Sequence, residues 1–130
     1  MWRDLSFLSD LWCILGDFNV VISADDYKGG VAPNQVSCNE FLDWINNNNL
    51  TSMPFSDPCY TWSNGRRGLK RIDRKIDKAL CNEECLDEWS SCTYQVLVKN
   101  YSNHSPVTSS FSFSNCLYKA SAFRFFNMWL

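Results

Sequence analysis

Two polar side chains follow a short apolar run near the start of the chain. The run Trp12–Leu15 has the length and boundaries of a buried strand, and Gly16, Asp17 and Asn19 come after it. If the backbone stays extended, Asp17 and Asn19 point to the same side. A carboxylate beside an amide can orient water or hydrogen-bond a phosphate. Gly-Asp-x-Asn is also a turn sequence, and these residues alone favour the turn.

Four further motifs follow in order along the chain. They are YTWSN from residue 60, RKIDKAL from residue 74, SNHSP from residue 102 and FRFFNMWL from residue 123. With the Asp17 segment, in this order and at these separations, they resemble the endonuclease domain of plant non-LTR (LINE-type) retrotransposon proteins. That domain belongs to the endonuclease/exonuclease/phosphatase superfamily. The resemblance runs over nearly the whole chain and covers about the C-terminal half of such a domain.

The resemblance implies catalytic roles for four residues in phosphodiester hydrolysis. Asp17 would orient or deprotonate the attacking water, and Asn19 would hydrogen-bond the water or the phosphate. Asp77 would hold His104 so that the imidazolium faces the scissile phosphate. Without the resemblance, Asp77 is an exposed charge on a solvated edge. His104, the single histidine of the chain, is then a surface loop residue.

A second group of residues would contact DNA. Seven of the twelve Lys and Arg residues lie in Arg66–Lys78, and by resemblance this segment would contact phosphates. Its alternative is a solvated charged face that Asp73 and Asp77 neutralise. Trp62 is equally a candidate for the buried core. The predicted nucleic-acid-binding residues are Trp62, Asn64, Arg66, Arg67, Lys70 and Arg71.

Two departures from the family pattern bear on activity. The family's Ser-Asp-His is here Ser-Asn-His, so the neutral amide of Asn103 stands where an acidic group near the metal is expected. Mg²⁺, the cofactor that the resemblance implies, is usually held through one or two carboxylates. The family's principal metal-binding glutamate should precede Asp17, and none of the preceding residues is a glutamate. We therefore expect Mg²⁺ to bind weakly and the chain to be inactive or nearly so.

Composition predicts one intracellular domain, in the nucleus or the cytoplasm. The chain has 130 residues, 45% of them hydrophobic, enough for a single core. A net charge of −2 excludes a protein that coats nucleic acid everywhere, so any DNA contact must be local. Seven cysteines without C-x-x-C spacing are typical of reduced, buried thiols. Charged residues interrupt the N-terminal apolar run, so no membrane span is predicted.

The elements that position these residues predict an α+β fold. We expect a truncated endonuclease/exonuclease/phosphatase-like sandwich, with one mostly antiparallel sheet and two or three helices. The strands predicted from the residue pattern are Trp12–Leu15, Leu50–Met53, Tyr60–Trp62, Thr93–Val98 and Val107–Phe113. Ile72–Leu80 matches a helical period, but the resemblance implies a strand there, and we adopt the strand. The predicted helices are Met1–Trp12, one from a capping box of Ser37 and Glu40 to the run Asn46–Asn49, and Glu83–Trp89 capped by Asn82.

The domain boundaries follow from the same resemblance. Residues 1–115 would form a partial domain, and residues 116–130 an apolar tail leading to a missing downstream region. The sheet would then have an unpaired edge and an uncovered apolar face, which favours self-association or a covering partner. Two alternatives to an endonuclease remain open. One is a non-catalytic nucleic-acid-binding or protein-interaction module, and the other is a relic without selected function.

Overall fold

The computed structural model describes residues 11–55 and 60–113. The N-terminal helix and the apolar tail predicted from sequence lie outside these residues, apart from residues 11 and 12, which are not helical. No helix in the described ranges is long and apolar enough to cross a membrane. The helices are α1 (Gln35–Asn47) and α2 (Glu83–Glu88). The strands are β1 (Cys13–Asp17), β2 (Tyr27–Lys28), β3 (Leu50–Ser52), β4 (Trp62–Ser63), β5 (Asp73–Arg74), β6 (Asp77–Asn82), β7 (Trp89–Val96) and β8 (Val107–Phe113).

The described chain is an α+β fold with antiparallel sheets, as predicted, but the sheets are three. Their strand orders are β1-β6-β3, β2-β5-β4 and β7-β8. The expectation of one sheet is wrong: the single predicted strand Ile72–Leu80 divides into β5 and β6, which lie in different sheets, and β7 and β8 form a third. At the division the hydroxyl oxygen of Thr61 accepts the backbone N–H groups of Ile76 and Asp77, each at 3.0 Å. Those N–H groups are therefore satisfied outside a strand ladder.

The ladder between β1 and β6 brings two carboxylates together. Its register pairs Cys13 with Cys81 at one end and Asp17 with Asp77 at the other. Like charges directly opposite each other destabilise a sheet. The sequence therefore keeps an unfavourable pair at this position, as proteins do most often at functional sites.

Both faces of this sheet are covered in the described part of the chain. On one face the aromatic rings of Phe18, Phe41 and Trp44 pack under α1, with ring centroids 5.2 to 6.2 Å apart. On the other face lies a cluster under α2 and β7. The expected uncovered apolar face is thus wrong. In the strands of this sheet, the large hydrophobic residue that stays exposed is Leu15 on the edge strand β1, at 40%.

The predicted cap of the first helix differs from the observed one, whereas that of the second helix is correct in position but makes no side-chain cap bond. Helix α1 begins two residues before Ser37, and the Asn34 side chain accepts the N–H of Val36 at 2.9 Å. Asn is among the best N-cap residues, so it replaces the predicted capping box. Asn82 does precede α2, but its side-chain oxygen accepts the N–H of Trp12 at 3.2 Å and makes no cap bond. It ties the N-terminal segment to β6 instead.

Candidate active site

One imidazole lies between the two carboxylates of the β1–β6 ladder. His104 Nδ1 is 3.1 Å from Asp77 Oδ2, and His104 Nε2 is 4.0 Å from Asp17 Oδ2. The side chain of Asp77 is 10% exposed, whereas those of Asp17 and His104 are 36% and 39% exposed. The buried carboxylate can therefore orient the ring, and the exposed one is open to a ligand.

The turn after β1 fixes the carboxylate of Asp17. Asn19 has a φ of 53°, in the left-handed region that Asn tolerates, and its N–H donates to Asp17 Oδ1 at 2.8 Å. The backbone is therefore not extended from Asp17 to Asn19, and the turn that these residues alone favoured replaces the strand alternation that would have placed both side chains on one side. Between them, Phe18 points into the aromatic core. The exposed Asn19 acts on Asp17 through its main chain.

Two buried hydroxyl groups hold the backbone of Asp77. The Thr61 side chain, in a residue with no exposed surface, accepts the N–H groups of Ile76 and Asp77. From another direction the Tyr94 hydroxyl donates to the carbonyl oxygen of Asp77 at 2.7 Å. Sequence reasoning missed both residues, because their partners lie 15 to 17 positions away along the chain.

The segment around β4 also holds the His104 loop. Ser105 donates its N–H to the carbonyl oxygen of Thr61 at 2.6 Å, and Ser63 donates its N–H to the carbonyl oxygen of Asn103 at 3.0 Å. Trp62 and His104 form an isolated antiparallel bridge between these two bonds. Thr61 thus holds the N–H of Asp77 with its hydroxyl oxygen and the N–H of Ser105, the residue after His104, with its carbonyl oxygen.

The predicted DNA-contacting residues fall into two groups in the structure. Trp62 is partly buried against the aromatic core, and Asn64 organises the basic loop. Asn64 Oδ1 accepts the N–H groups of Arg66 and Ile72, both at 3.1 Å, and its amide nitrogen donates to the carbonyl oxygen of Lys70 at 2.9 Å. These bonds give Asn64 a structural role, whatever it contacts in addition.

The cations of the loop are mostly open to solvent. Arg66, Arg67 and Lys70 are exposed. Arg71 is held by Asp73 at 2.8 Å, and this bond raises the pKa of its guanidinium. The loop also adjoins the site, because a Cβ atom on Gly65 would lie 3.7 Å from the side-chain oxygen of Asn103.

Lys99 is a charged residue near the site that the sequence did not single out. Its Nζ donates to the hydroxyl oxygen of Ser63 at 2.6 Å. Ser63 in turn donates its N–H to the residue before His104. A lysine outside the basic segment therefore adds a positive charge at β4. No pattern around Lys99 in the sequence indicates this.

The donor set fits a divalent cation. One ligand atom from each of Asp17, Asp77 and His104 lies within 4.8 Å of the other two. Two carboxylates suit a hard cation such as Mg²⁺, and an added imidazole suits Mn²⁺ or Zn²⁺ as well. Asn103, the predicted metal position, is exposed and brings no charge. A cation here would share the Asp77 carboxylate with the imidazole.

Comparisons with known proteins give no assignment. The chain matches no protein-family model, no curated protein and no solved structure. The function must therefore be argued from the geometry of the site and from the sequence motifs.

Proposed function

We propose that the chain is an endonuclease-like part of a LINE-type retroelement protein, whose chemistry is metal-dependent hydrolysis of DNA phosphodiesters. The order of the sequence motifs supports the proposed origin from a LINE-type retroelement protein. The chemistry rests on a single observation, the His104 imidazole between a buried and an exposed carboxylate. A like-charge pair at a strand end has no structural advantage over an apolar pair.

The three side chains divide the reaction between them. In the imidazolium form of His104, the Nδ1–H donates to Asp77, and this bond directs the Nε2–H toward the exposed side of the site. There the Nε2–H can donate to a phosphate oxygen and stabilise the charge that develops on it. Asp17, on the same exposed side, takes a proton from the attacking water as the water oxygen forms a bond to phosphorus. The bond from phosphorus to the leaving oxygen breaks in the same displacement.

A divalent cation held by the oxygens of Asp17 and Asp77 would neutralise phosphate charge and help the leaving oxygen depart. The residues of the chain would bind such a cation only weakly, which limits its contribution to the rate. The Asn103 amide supplies no charge where the family has a carboxylate, and the Asp77 carboxylate is already engaged by His104. We therefore propose very slow turnover, with the chain nearly inactive.

A second candidate function is a non-catalytic nucleic-acid-binding module. The observation that favours it is the exposure of Arg66, Arg67 and Lys70 on a loop beside Asn103. Such cations contact phosphates, give affinity with little sequence information, and make binding salt-dependent. This function needs no contribution from Asp17 or His104.

Nicking of supercoiled plasmid, with protein in excess and with or without Mg²⁺, separates the two functions. The endonuclease predicts slow Mg²⁺-dependent nicking that Asp17→Ala and His104→Ala each abolish. Asp25→Ala, at an exposed acidic residue away from the site, is the matched control and keeps the nicking. Nicking that survives in both site variants contradicts the proposal. Absence of nicking together with salt-sensitive DNA binding that Asp17→Ala leaves unchanged supports the binding module.

A further inference from the structure

Four cysteines meet in the apolar cluster under α2 and β7. Cys81, Cys85 and Cys92 belong to the cluster, and Cys13 packs against it from β1. All four are free thiols. The Cys13 thiol donates to the Met53 sulfur at 3.5 Å. Neither the endonuclease nor the binding module described above uses these groups.

The pair of Cys13 and Cys81 has a particular place in the β1–β6 ladder, because the two residues lie directly opposite each other. In the neighbouring pair, the N–H of Asn82 donates to the carbonyl oxygen of Trp12 at 3.3 Å. Hydrogen-bonded and non-hydrogen-bonded pairs alternate along an antiparallel ladder. Cys13 and Cys81 are therefore a non-hydrogen-bonded pair, the kind in which the two side chains lie closest.

The spacing of such a pair suits a disulfide bond. The Cα atoms of a non-hydrogen-bonded pair are about 4.5 Å apart, within the range of about 4.4 to 6.8 Å that disulfides span. Residues opposite each other in a ladder also share one face of the sheet. Rotation of the two side chains can thus bring the sulfur atoms of Cys13 and Cys81 together without a change of register.

The two thiols differ in exposure, and this difference sets the order of reaction. Cys13 is partly exposed on the edge strand β1, whereas the other cysteines of the described ranges are buried. A dissolved oxidant can therefore reach Cys13. Cys81, with no exposed surface, needs only to reach the sulfur of Cys13 within the protein.

We propose that Cys13 and Cys81 form a redox-dependent disulfide that links β1 to β6. The oxidant is a low-molecular-weight disulfide such as oxidised glutathione. The Cys13 thiolate attacks one sulfur of the oxidant, which forms a mixed disulfide and releases one glutathione thiolate. The Cys81 thiolate then attacks the Cys13 sulfur and releases the second. The two glutathione thiolates take up the two protons that the cysteines lost.

The bond would stabilise the edge of the sheet. β1 lies at that edge and pairs with β6. A bond between residues 13 and 81 closes a long loop, so it removes conformational freedom from the unfolded chain. Burial raises the pKa of both thiols to about 12. Because the thiolate is the reacting form, oxidation should be slow near neutral pH and faster in alkaline solution.

Peptide mapping after incubation of the folded chain with oxidised glutathione, at about pH 9, tests this. Iodoacetamide blocks the remaining thiols before digestion. Trypsin with glutamyl endopeptidase places Cys81, Cys85 and Cys92 on separate peptides, because glutamates lie between them. We expect the peptides of Cys13 and Cys81 to be joined in the main product. This mapping uses the unchanged chain, so it does not depend on the folding of a variant.

Stability and variants complete the test. Oxidation should raise the urea midpoint, dithiothreitol should reverse the rise, and Cys13→Ser should abolish it. Cys92→Ala, which removes a cluster thiol outside the pair, is the matched control and should keep the rise. Oxidation in concentrated urea, where no ladder joins the pair, should give much less of the product.

Three results would overturn the proposal. The first is a folded chain in which Cys81 bonds mainly to Cys85 or Cys92 or stays reduced. The second is a yield of the Cys13–Cys81 product that is as high in urea as in the folded chain. The third is a urea midpoint that the Cys13–Cys81 bond leaves unchanged or lowers. None of these measurements involves DNA, so they are independent of the outcome of the nicking assay.

Discussion

The two ends of the β1–β6 ladder have opposite characters. At one end Cys13 faces Cys81, within a cluster of buried thiols, and at the other Asp17 faces Asp77. The first pair loses nothing by burial, since a thiol behaves as a small hydrophobe. The second pair sets like charges against each other and needs His104 between them. Thus the Cys13–Cys81 end of the ladder stabilises the fold, whereas the Asp17–Asp77 end is unfavourable by itself and depends on contacts from the rest of the fold.

A substitution in the apolar part of β6 should cause the largest loss of stability. Leu80 has no exposed surface and belongs to the aromatic cluster under α1. Leu80→Ala should lower the free energy of unfolding by about 2 to 5 kcal/mol, measured by urea denaturation. The matched control is Leu15→Ala on the neighbouring strand, which is 40% exposed and should cost much less. Equal losses in the two variants would contradict the assignment of Leu80 to the core.

Thr61→Val should cause the next largest loss of stability, at the Asp17–Asp77 end of the ladder. The variant keeps the shape of the side chain but leaves the N–H groups of Ile76 and Asp77 without their acceptor. Each buried unsatisfied N–H costs about 1 to 3 kcal/mol, so urea denaturation should show a loss of at least that size. Thr51→Val, at an exposed threonine of β3, is the control and should be nearly neutral. A neutral Thr61→Val would show that Asp77 is held by other contacts.

Alkaline pH should weaken the thiol end in particular. Burial raises the pKa of Cys13, Cys81 and Cys85 to about 12, from an ordinary value of 9.0. The unfolded chain therefore loses these protons before the folded chain does. Their contribution to stability is complete below pH 9.0 and is lost as the pH rises toward about 12. Urea midpoints measured across this range should fall.

Cys85→Ala provides the check on that pH dependence. Without the Cys85 thiol, unfolding at alkaline pH releases one proton fewer. The urea midpoint should therefore fall less steeply with pH than in the unchanged chain. A slope that Cys85→Ala leaves the same would assign the alkaline loss to other groups.

Asp17→Asn should have the smallest effect on the free energy of unfolding, and it should raise stability rather than lower it. The amide can still accept the N–H of Asn19, and it removes one member of the like-charge pair with Asp77. Stability at low salt should therefore rise by about 0.2 to 1 kcal/mol in thermal or urea unfolding. Asp25→Asn, an exposed acid away from the ladder, should change little. A clear loss of stability in Asp17→Asn would mean that Asp17 is a structural rather than a functional residue.

The sequence predicted much of the fold because local patterns carry it. The alternation in Val107–Phe113 coincides with the bounds of β8, and the predicted strand at Leu50 is β3. The start of α1 was misplaced, since Asn34 and Ser37 are both good caps and the sequence does not say which one the core selects. The break between β5 and β6 depends on Thr61, far away in the chain, so no local pattern indicates it.

The candidate site was only partly predictable for the same reason. Motif order singled out Asp77 and His104, and the structure places them in contact at 3.1 Å. Motif order could not indicate that Thr61 and Tyr94 hold Asp77, because a hydroxyl group that bonds to a distant backbone group produces no characteristic spacing in the sequence. Nor could it show that Asn64 is engaged by its own loop. The roles of these residues in DNA cleavage stay predictions.

The most direct test of the polar end as a hydrolytic site is to introduce a negative charge at Asn103. We would measure the single-turnover rate constant for Mg²⁺-dependent plasmid nicking by Asn103→Asp, alone and combined with Asp17→Ala. The account predicts faster nicking than in the unchanged chain, because a carboxylate beside His104 strengthens cation binding, and loss of that gain in the double variant. A rate unchanged by Asn103→Asp, or a gain that survives Asp17→Ala, would contradict it.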